Sequence, residues 1–109
     1  MGDRISISFK NENDESVVLF SHWGGMGFYK TAIKYLLGLK KALKKKKDKV
    51  YEPLDRMEPN TMMIDFIRHI TKDMKRVESD LYLGATSNDG DNSDNGHFTI
   101  DVNEDWEAD

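Results

Sequence analysis

The sequence predicts an α+β domain in which a mostly antiparallel sheet of about four strands carries two helices on one face. Apolar residues alternate with polar ones near both ends of the chain, which is the period of a strand. The middle of the chain repeats apolar residues every three or four positions, which is the period of a helix. The predicted order is therefore ββααββ. A chain of 109 residues is long enough for one core, so we expect a single domain over residues 1–103 and an acidic tail over residues 104–109.

Two strands open the chain. The first is predicted over residues 4–10, where Ile5, Ile7 and Phe9 lie on a buried side. The polar residues on the other, solvent-facing side are Arg4, Ser6, Ser8 and Lys10. After a polar turn, residues 16–23 form the second strand, and its apolar residues on both faces predict a position inside the sheet. The short turn predicts that the two strands pair as a hairpin.

The first helix is predicted over residues 26–46. Its core-facing stripe has the spacing of a helix and consists of Phe28, Ala32, Leu36, Leu39 and Leu43. Both prolines, Pro53 and Pro59, fall in the segment that follows, which predicts a loop.

The second helix is predicted over residues 61–76, with Asn60 or Thr61 as its N-cap. Asp65 and His69 are four residues apart and are expected to form an exposed pair. The predicted buried side consists of Met63, Ile67, Ile70 and Met74, with Phe66 beside it.

Two more strands are expected at the end of the chain. In residues 80–85, Leu81, Leu83 and Ala85 alternate with Tyr82 and Gly84, which predicts the third strand. In residues 97–102, the inward positions are predicted to be Phe98, Ile100 and Val102. Residues 87–96 contain only Ser, Asn, Asp and Gly, so they are predicted to form the flexible loop of a second hairpin.

The composition narrows the classes of function. The chain has no cysteine, which excludes disulfides, thiolate metal sites and thiol nucleophiles. No apolar run has the length of a signal peptide or a membrane span, so we expect a soluble, cytoplasmic protein without a membrane partner. Residues 40–49 are rich in lysine and could attract an anionic partner. Nucleic acid is not favoured, because the net charge is −4 and no aromatic residue is interleaved with these lysines.

The segment His22-Trp23-Gly24-Gly25 is the main candidate site. It ends a strand, turns and opens a helix, whose free N–H groups and positive dipole end can bind an anion. His22 could transfer a proton and Trp23 could stack on a ring. The alternative is structural, with Trp23 filling the core, His22 hydrogen-bonded at the end of the strand, and the two glycines forming the turn.

Asp3 and Arg4 are predicted to join this segment. The start of the first strand lies opposite the end of the second strand in a hairpin, so Arg4 should lie near Ser21–Trp23. The expected cluster of Asp3, Arg4 and His22 is either a ligand-binding site or a structural ion pair at the edge of the sheet.

Three segments of the sequence resemble known proteins. The first two are the opening Met1-Gly2-Asp3-Arg4 and the segment Leu19-Phe20-Ser21-His22-Trp23-Gly24-Gly25. Together with Asp94-Asn95-Gly96-His97 before the last strand, they resemble a group of small uncharacterised prokaryotic and phage-encoded proteins. In that group a Met-Gly-Asp-Arg start and a (Thr/Ser)-His-Trp-Gly-Gly segment recur. The resemblance implies a place for the site and no particular activity.

The loop before the last strand offers a possible metal site. Asp89, Asp91 and Asp94 supply oxygen ligands of the kind that Ca²⁺ prefers. The spacing from Asp91 matches the first half of an EF-hand loop, but Val102 stands where the bidentate Glu should be. An ordinary turn is the favoured interpretation of these residues, and calcium is the only cofactor that the sequence suggests.

Three functions remain open from the sequence. The first is a binding or interaction module that uses the His22–Gly25 loop or the charged faces to bind an anionic ligand or a protein partner. The second is a small hydrolase or nucleotide-processing enzyme, with His22 as general acid or base and Arg4 holding an anion. The third is calcium binding through residues 88–96. The first hypothesis, in which the protein is not an enzyme, is preferred.

Overall fold

A computed structural model describes residues 2–45, 58–75 and 80–103 of the chain. The side chains of the lysine-rich segment after Lys40, the segment with Pro53, and the tail 104–109 lie outside the described residues. The observed order is the predicted one, ββααββ. The elements are β1 (Ile5–Lys10), β2 (Val18–Ser21), α1 (Gly25–Lys45), α2 (Pro59–Thr71), β3 (Leu81–Gly84) and β4 (His97–Asp101).

The four strands form one mixed sheet in the order β3-β2-β1-β4. β2 pairs antiparallel with both β1 and β3, which confirms a mostly antiparallel sheet and the interior position of β2. The predicted second hairpin is wrong, because β3 and β4 lie at opposite edges and β4 pairs in parallel with β1. The physical reason is the length of residues 85–96, which is sufficient for the chain to cross the sheet between two edge strands.

The main core lies between the sheet and the two helices. Phe66 of α2 is fully buried and packs edge-on against Phe9 of β1, with ring centroids 5.7 Å apart. Tyr35 of α1 lies 5.2 Å from the same ring. Burying each such large side chain stabilises the fold by about 1.5–3 kcal/mol. The other fully buried members from both helices and β1 are Ile5, Ile7, Ala32, Leu36, Leu39, Met62 and Met63.

The second helix begins earlier than predicted. Pro59 is its first residue, where the missing N–H is not needed, and Glu58 is the N-cap without a side-chain hydrogen bond. The predicted cap, Asn60 or Thr61, is therefore wrong, and Asn60 instead accepts a hydrogen bond from the Val17 N–H at 2.9 Å. The helix ends at Thr71, before the predicted end, and Met74 is therefore exposed, contrary to the prediction.

The pair predicted on α2, Asp65 and His69, is partly buried rather than exposed. Asp65 accepts a hydrogen bond of 2.6 Å from the hydroxyl of Tyr35, and its side chain is only 18% exposed. The ring of His69 lies 5.7 Å from the ring of Tyr35, and burial lowers the pKa of His69 below its usual range. Both side chains thus face α1 rather than solvent.

The two faces of β3 have different surroundings. Leu81 packs against the core, but Leu83 is 56% exposed because β3 is an edge strand with a sheet neighbour on one side only. Tyr82, on the other face, stacks on Phe20 of β2 with ring centroids 4.8 Å apart and an interplanar angle of 3°. The second face of the sheet therefore has an aromatic contact of its own.

Candidate functional site

Residues 85–96 cover the face of the sheet that lacks helices. Gly90 lies on the stacked rings so closely that a Cβ there would be 2.6 Å from Tyr82 and 2.9 Å from Phe20. Asn92 donates a hydrogen bond of 2.8 Å to Oγ of Ser6. Ser6 and Ser8 of β1 are fully buried. The predicted solvent-facing side of β1 is thus wrong at both positions, because Asn92 of this segment contacts Ser6, and Glu15 and His97 contact Ser8.

Arg4 binds the end of residues 85–96, the segment that crosses the sheet. Its backbone N–H and its Nε donate to Oδ2 of Asp94 at 3.0 and 2.9 Å, and its guanidinium also pairs with Asp91. The hydrogen bond to Asp94 is the main cause that raises the pKa of Arg4. Arg4 in turn lowers the pKa of Asp94, and hydrogen bonds from Ser93, together with Arg4, lower the pKa of Asp91.

The acidic residues proposed as calcium ligands have other partners. Asp89 accepts a hydrogen bond of 2.8 Å from the Thr86 N–H, whereas Asp91 and Asp94 face the Arg4 cation. Within residues 2–45, 58–75 and 80–103, no three His, Asp or Glu side chains lie together as ligands for a metal ion. The structure does not bring these three carboxylates into one ligand set.

The start of β1 meets the β2–α1 turn, as the hairpin register predicts. Ile5 lies opposite Ser21, the Asp3 N–H donates to the His22 carbonyl at 2.8 Å, and the Gly25 N–H donates to the Asp3 carbonyl at 2.9 Å. Gly25 has φ of +57°, and a Cβ at this position would overlap the Asp3 carboxylate. The chain's own carboxylate therefore lies at the positive end of the α1 dipole, where an external anion was hypothesised to bind.

Hydrogen bonds fix the backbone of this turn. The carboxylate of Asp80 accepts from the Trp23 N–H at 2.9 Å and from the Ser21 hydroxyl at 3.1 Å. The Gly24 N–H donates to the Ser21 Oγ at 2.9 Å. A Cβ at Gly24 would lie 2.7 Å from the Phe28 Cβ, so this glycine allows the close approach of α1 to the turn.

The side chains of His22 and Trp23 point away from this packed backbone. Trp23 is 59% exposed, so the structural alternative in which it fills the core is wrong. The His22 ring has two aromatic neighbours, and its centroid lies 5.7 Å from that of the Trp23 ring and 5.0 Å from that of the Tyr82 ring. The Arg4 guanidinium pairs with Asp91 and Asp94, whereas the Asp3 carboxylate accepts a hydrogen bond of 2.7 Å from Asn95. The structural ion pair expected within the cluster of Asp3, Arg4 and His22 is therefore not the one that forms.

A second polar cluster was not foreseen from the sequence. His97, at the start of β4, lies beside Ser6 in the parallel pairing, and its Nδ1 is 2.8 Å from Ser6 Oγ. Its Nε2 is 3.2 Å from the hydroxyl oxygens of both Ser8 and Thr99. Ser8 in turn donates a hydrogen bond of 2.8 Å to Oε2 of Glu15.

The count of hydrogens in this cluster fixes the His97 tautomer. The single hydroxyl hydrogen of Ser8 is directed at Glu15, so Ser8 Oγ can only accept from His97, and Nε2 must carry a hydrogen. Nδ1 then accepts from the Ser6 hydroxyl, whose oxygen accepts from Asn92. Burial lowers the pKa of His97, and the Glu15 carboxylate opposes this shift more weakly. The imidazole is thus neutral near pH 7.

An open cleft of about 450 Å³ borders the cluster. The sequence contains a signal for it, because Ser6 and Ser8 occupy alternate positions on one strand, and His97 and Thr99 do the same on another. That signal becomes informative only once β1 and β4 are known to be neighbours. The cleft is lined by Glu15, Ser16, Val18, Ala85, Thr86, Ser87, His97 and Thr99.

Comparison with family models, curated proteins and solved structures finds no match to this chain. The resemblance to small prokaryotic and phage-encoded proteins therefore stays a prediction. The fold and site define the class as a small α+β domain with an exposed aromatic turn. In the described part of the chain, neither helix is both long and apolar enough to cross a membrane.

Proposed function

We propose that this protein is a non-enzymatic binding module that uses the β2–α1 turn, His22–Gly25, to bind a protein partner. The observation that carries the proposal is the exposure of Trp23, at 59%, on a backbone that Asp80 and Ser21 hold in place. A tryptophan held in this way can enter an apolar pocket with little loss of conformational entropy.

The surroundings of Trp23 support a protein partner rather than a small substrate. Met26, in the first turn of α1, is 41% exposed and adds apolar surface next to the turn. Behind the turn, Phe28 packs against Gly24 and the Asp3 carboxylate packs against Gly25. The backbone of the two glycines is thus covered by the protein's own groups, whereas the aromatic side chain is available outside.

The enzyme alternative requires Arg4 to hold an anion beside His22. The guanidinium of Arg4 instead forms ion pairs with Asp91 and Asp94, and both carboxylates would have to be displaced by a substrate. The neighbours of the His22 ring are the aromatic rings of Trp23 and Tyr82. This environment supports stacking or apolar contact more directly than proton transfer.

The test compares two truncations of exposed apolar side chains, Trp23→Ala on the turn and Ile64→Ala on α2, where Ile64 is 70% exposed. The immobilised full-length chain captures proteins from a cell extract, and each captured protein is purified and its Kd is measured. An interface tryptophan contributes about 2 kcal/mol or more, so Trp23→Ala should raise Kd about 30-fold. The control Ile64→Ala should leave Kd unchanged.

A captured protein that binds Trp23→Ala and Ile64→Ala equally well would contradict the proposal. The fold of both variants is checked by circular dichroism, because neither side chain is buried and neither truncation should unfold the domain.

A further inference from the structure

The cleft beside His97 is separate from the β2–α1 turn. It borders Ser16 and Val18 at the beginning of β2, whereas Trp23 follows the end of that strand. Its volume of about 450 Å³ lies within the range of small-molecule sites, about 300–1,000 Å³. A ligand in this cleft would therefore leave the proposed protein-binding turn free.

The charge in this cleft is negative. Glu15 is the acidic residue in the lining, and its side chain is 50% exposed. The eight lining residues include no lysine or arginine. Lys10 is the backbone bridge partner of Glu15, but among the described residues Glu15 makes no ion pair with a lysine or an arginine.

His97 does not neutralise this charge. Its Nε2 is 4.0 Å from Oε2 of Glu15, and the imidazole is neutral near pH 7, because burial lowers its pKa. The connection between them runs through the Ser8 hydroxyl, which accepts from Nε2 and donates to Oε2. This chain of hydrogen bonds fixes one carboxylate oxygen, while Oε1 makes no hydrogen bond with a described residue.

The remaining lining fits the other parts of a small organic cation. Thr86, Ser87 and Thr99 have hydroxyl oxygens that can accept hydrogen bonds, and the exposed side chain of Ala85 supplies apolar surface. An alkylammonium group has three N–H donors and one positive charge, which match a fixed carboxylate surrounded by acceptors. A short alkyl chain would lie against the apolar part of the lining.

We propose that the cleft lined by Glu15, His97 and Thr86 binds a small primary amine, with its ammonium group on the Glu15 carboxylate. In this arrangement Ser8 and His97 act as positioning residues, because Ser8 hydrogen-bonds the Glu15 carboxylate and His97 orients the Ser8 hydroxyl.

The experiment is a titration of the full-length, isotope-labelled chain with n-butylamine near neutral pH, followed by amide chemical shifts. n-Butanol, which has the same alkyl chain and no charge, is the matched probe. We expect saturable shifts at the amides of Ala85, Thr86, Ser87 and Thr99 with the amine. With the alcohol, the affinity should be at least about tenfold weaker, because the charge-assisted hydrogen bond is lost.

Two variants distinguish an effect of the Glu15 carboxylate from an effect of negative charge elsewhere on the surface. Glu15→Gln keeps an oxygen that can accept the Ser8 hydrogen bond, so the fold is retained while the affinity for n-butylamine falls about tenfold or more. Glu12→Gln removes an exposed acid that accepts from Asn103 outside the cleft, and it should bind n-butylamine like the unaltered chain.

Three results would overturn the proposal. They are equal affinity for n-butylamine and n-butanol, unchanged affinity in Glu15→Gln, and the absence of saturable shifts at the cleft. The comparison of the two probes uses the unaltered chain, so it does not depend on the folding of any variant.

Discussion

Replacing Gly25 with alanine removes the conformational freedom on which the β2–α1 turn depends. Gly25 has φ of +57°, a left-handed conformation that alanine adopts at a penalty of about 1–2 kcal/mol. Its added Cβ would also overlap the carboxylate of Asp3, which must then move away from Asn95, its hydrogen-bond partner at 2.7 Å. We expect Gly25→Ala to lower the free energy of unfolding by about 2–3 kcal/mol in total.

Gly27→Ala is the matched control, two residues further along α1. Gly27 is exposed, and apart from its chain neighbours and the backbone of α1 itself, no atom would lie within 4 Å of a Cβ at this position. Alanine in a helix is favoured over glycine by about 0.5–1 kcal/mol, so this variant should be slightly more stable than the unaltered chain. The same chemical change therefore has opposite effects at two neighbouring positions.

The assay is urea unfolding followed by circular dichroism, with a double-mutant cycle that adds Asp3→Ala. Without the Asp3 carboxylate, Gly25→Ala should lose only the backbone part of its effect, about 1–2 kcal/mol. A Gly25→Ala variant as stable as Gly27→Ala would refute the left-handed conformation of Gly25. An unchanged effect in the Asp3→Ala background would refute the contact between the two residues.

Three other predictions concern hydrogen bonds and ionisation. The pKa values of Asp91 and Asp94 lie below the usual value of about 3.9, so the free energy of unfolding should fall as the pH is lowered through them. Urea unfolding of Arg4→Gln should show a smaller fall over the same pH range than the unaltered chain. By NMR, the His97 ring should have a pKa below about 6.5 and carry its hydrogen on Nε2 in the neutral form. Its protonation as the pH falls should therefore destabilise the fold. A pKa at or above about 6.5 would contradict the burial of the ring. Asp80→Ala should lower the free energy of unfolding by about 1–3 kcal/mol, because the buried Ser21 hydroxyl loses its acceptor, and a variant of unchanged stability in urea would contradict this role.

Local periodicity was sufficient to predict most of the elements. β1 and α1 have long, regular patterns, and their observed bounds differ from the predicted ones by about one residue, within the usual uncertainty of element ends. The hairpin register was also predictable, because a short turn leaves few alternatives for the pairing of β1 with β2.

The partner of the last strand was not predictable from the pattern. Alternation shows that His97–Asp101 is a strand with one buried side, but it contains no information about which strand lies next to it. The polar segment 85–96 was long enough for a crossing as well as for a hairpin. The hydrogen bonds of this segment to Arg4 and Ser6 distinguish the crossing from the hairpin. These are tertiary contacts, which the local sequence pattern does not show.

The wrong partner predicted for the last strand is also the reason why the cleft was not predicted. Ser6 and Ser8 were assigned to a solvent-facing side because the sequence gives no sign that residues 85–96 return over β1. Once β4 lies beside β1 in parallel, His97 and Thr99 fall on the same face as the two serines. The candidate site at His22–Gly25 was easier to locate, since it lies where a strand pattern meets a helix pattern.

Photocrosslinking at the β2–α1 turn tests most directly whether this surface binds a protein. A benzoylphenylalanine is introduced by Met26→benzoylphenylalanine next to Trp23, and a matched probe by Ile64→benzoylphenylalanine on α2, both at exposed apolar positions. The binding proposal predicts a discrete crosslinked partner at position 26 that is absent at position 64 and is lost when Trp23→Ala is added. The same crosslinks at both positions, or crosslinks at position 26 that persist in Trp23→Ala, would contradict it.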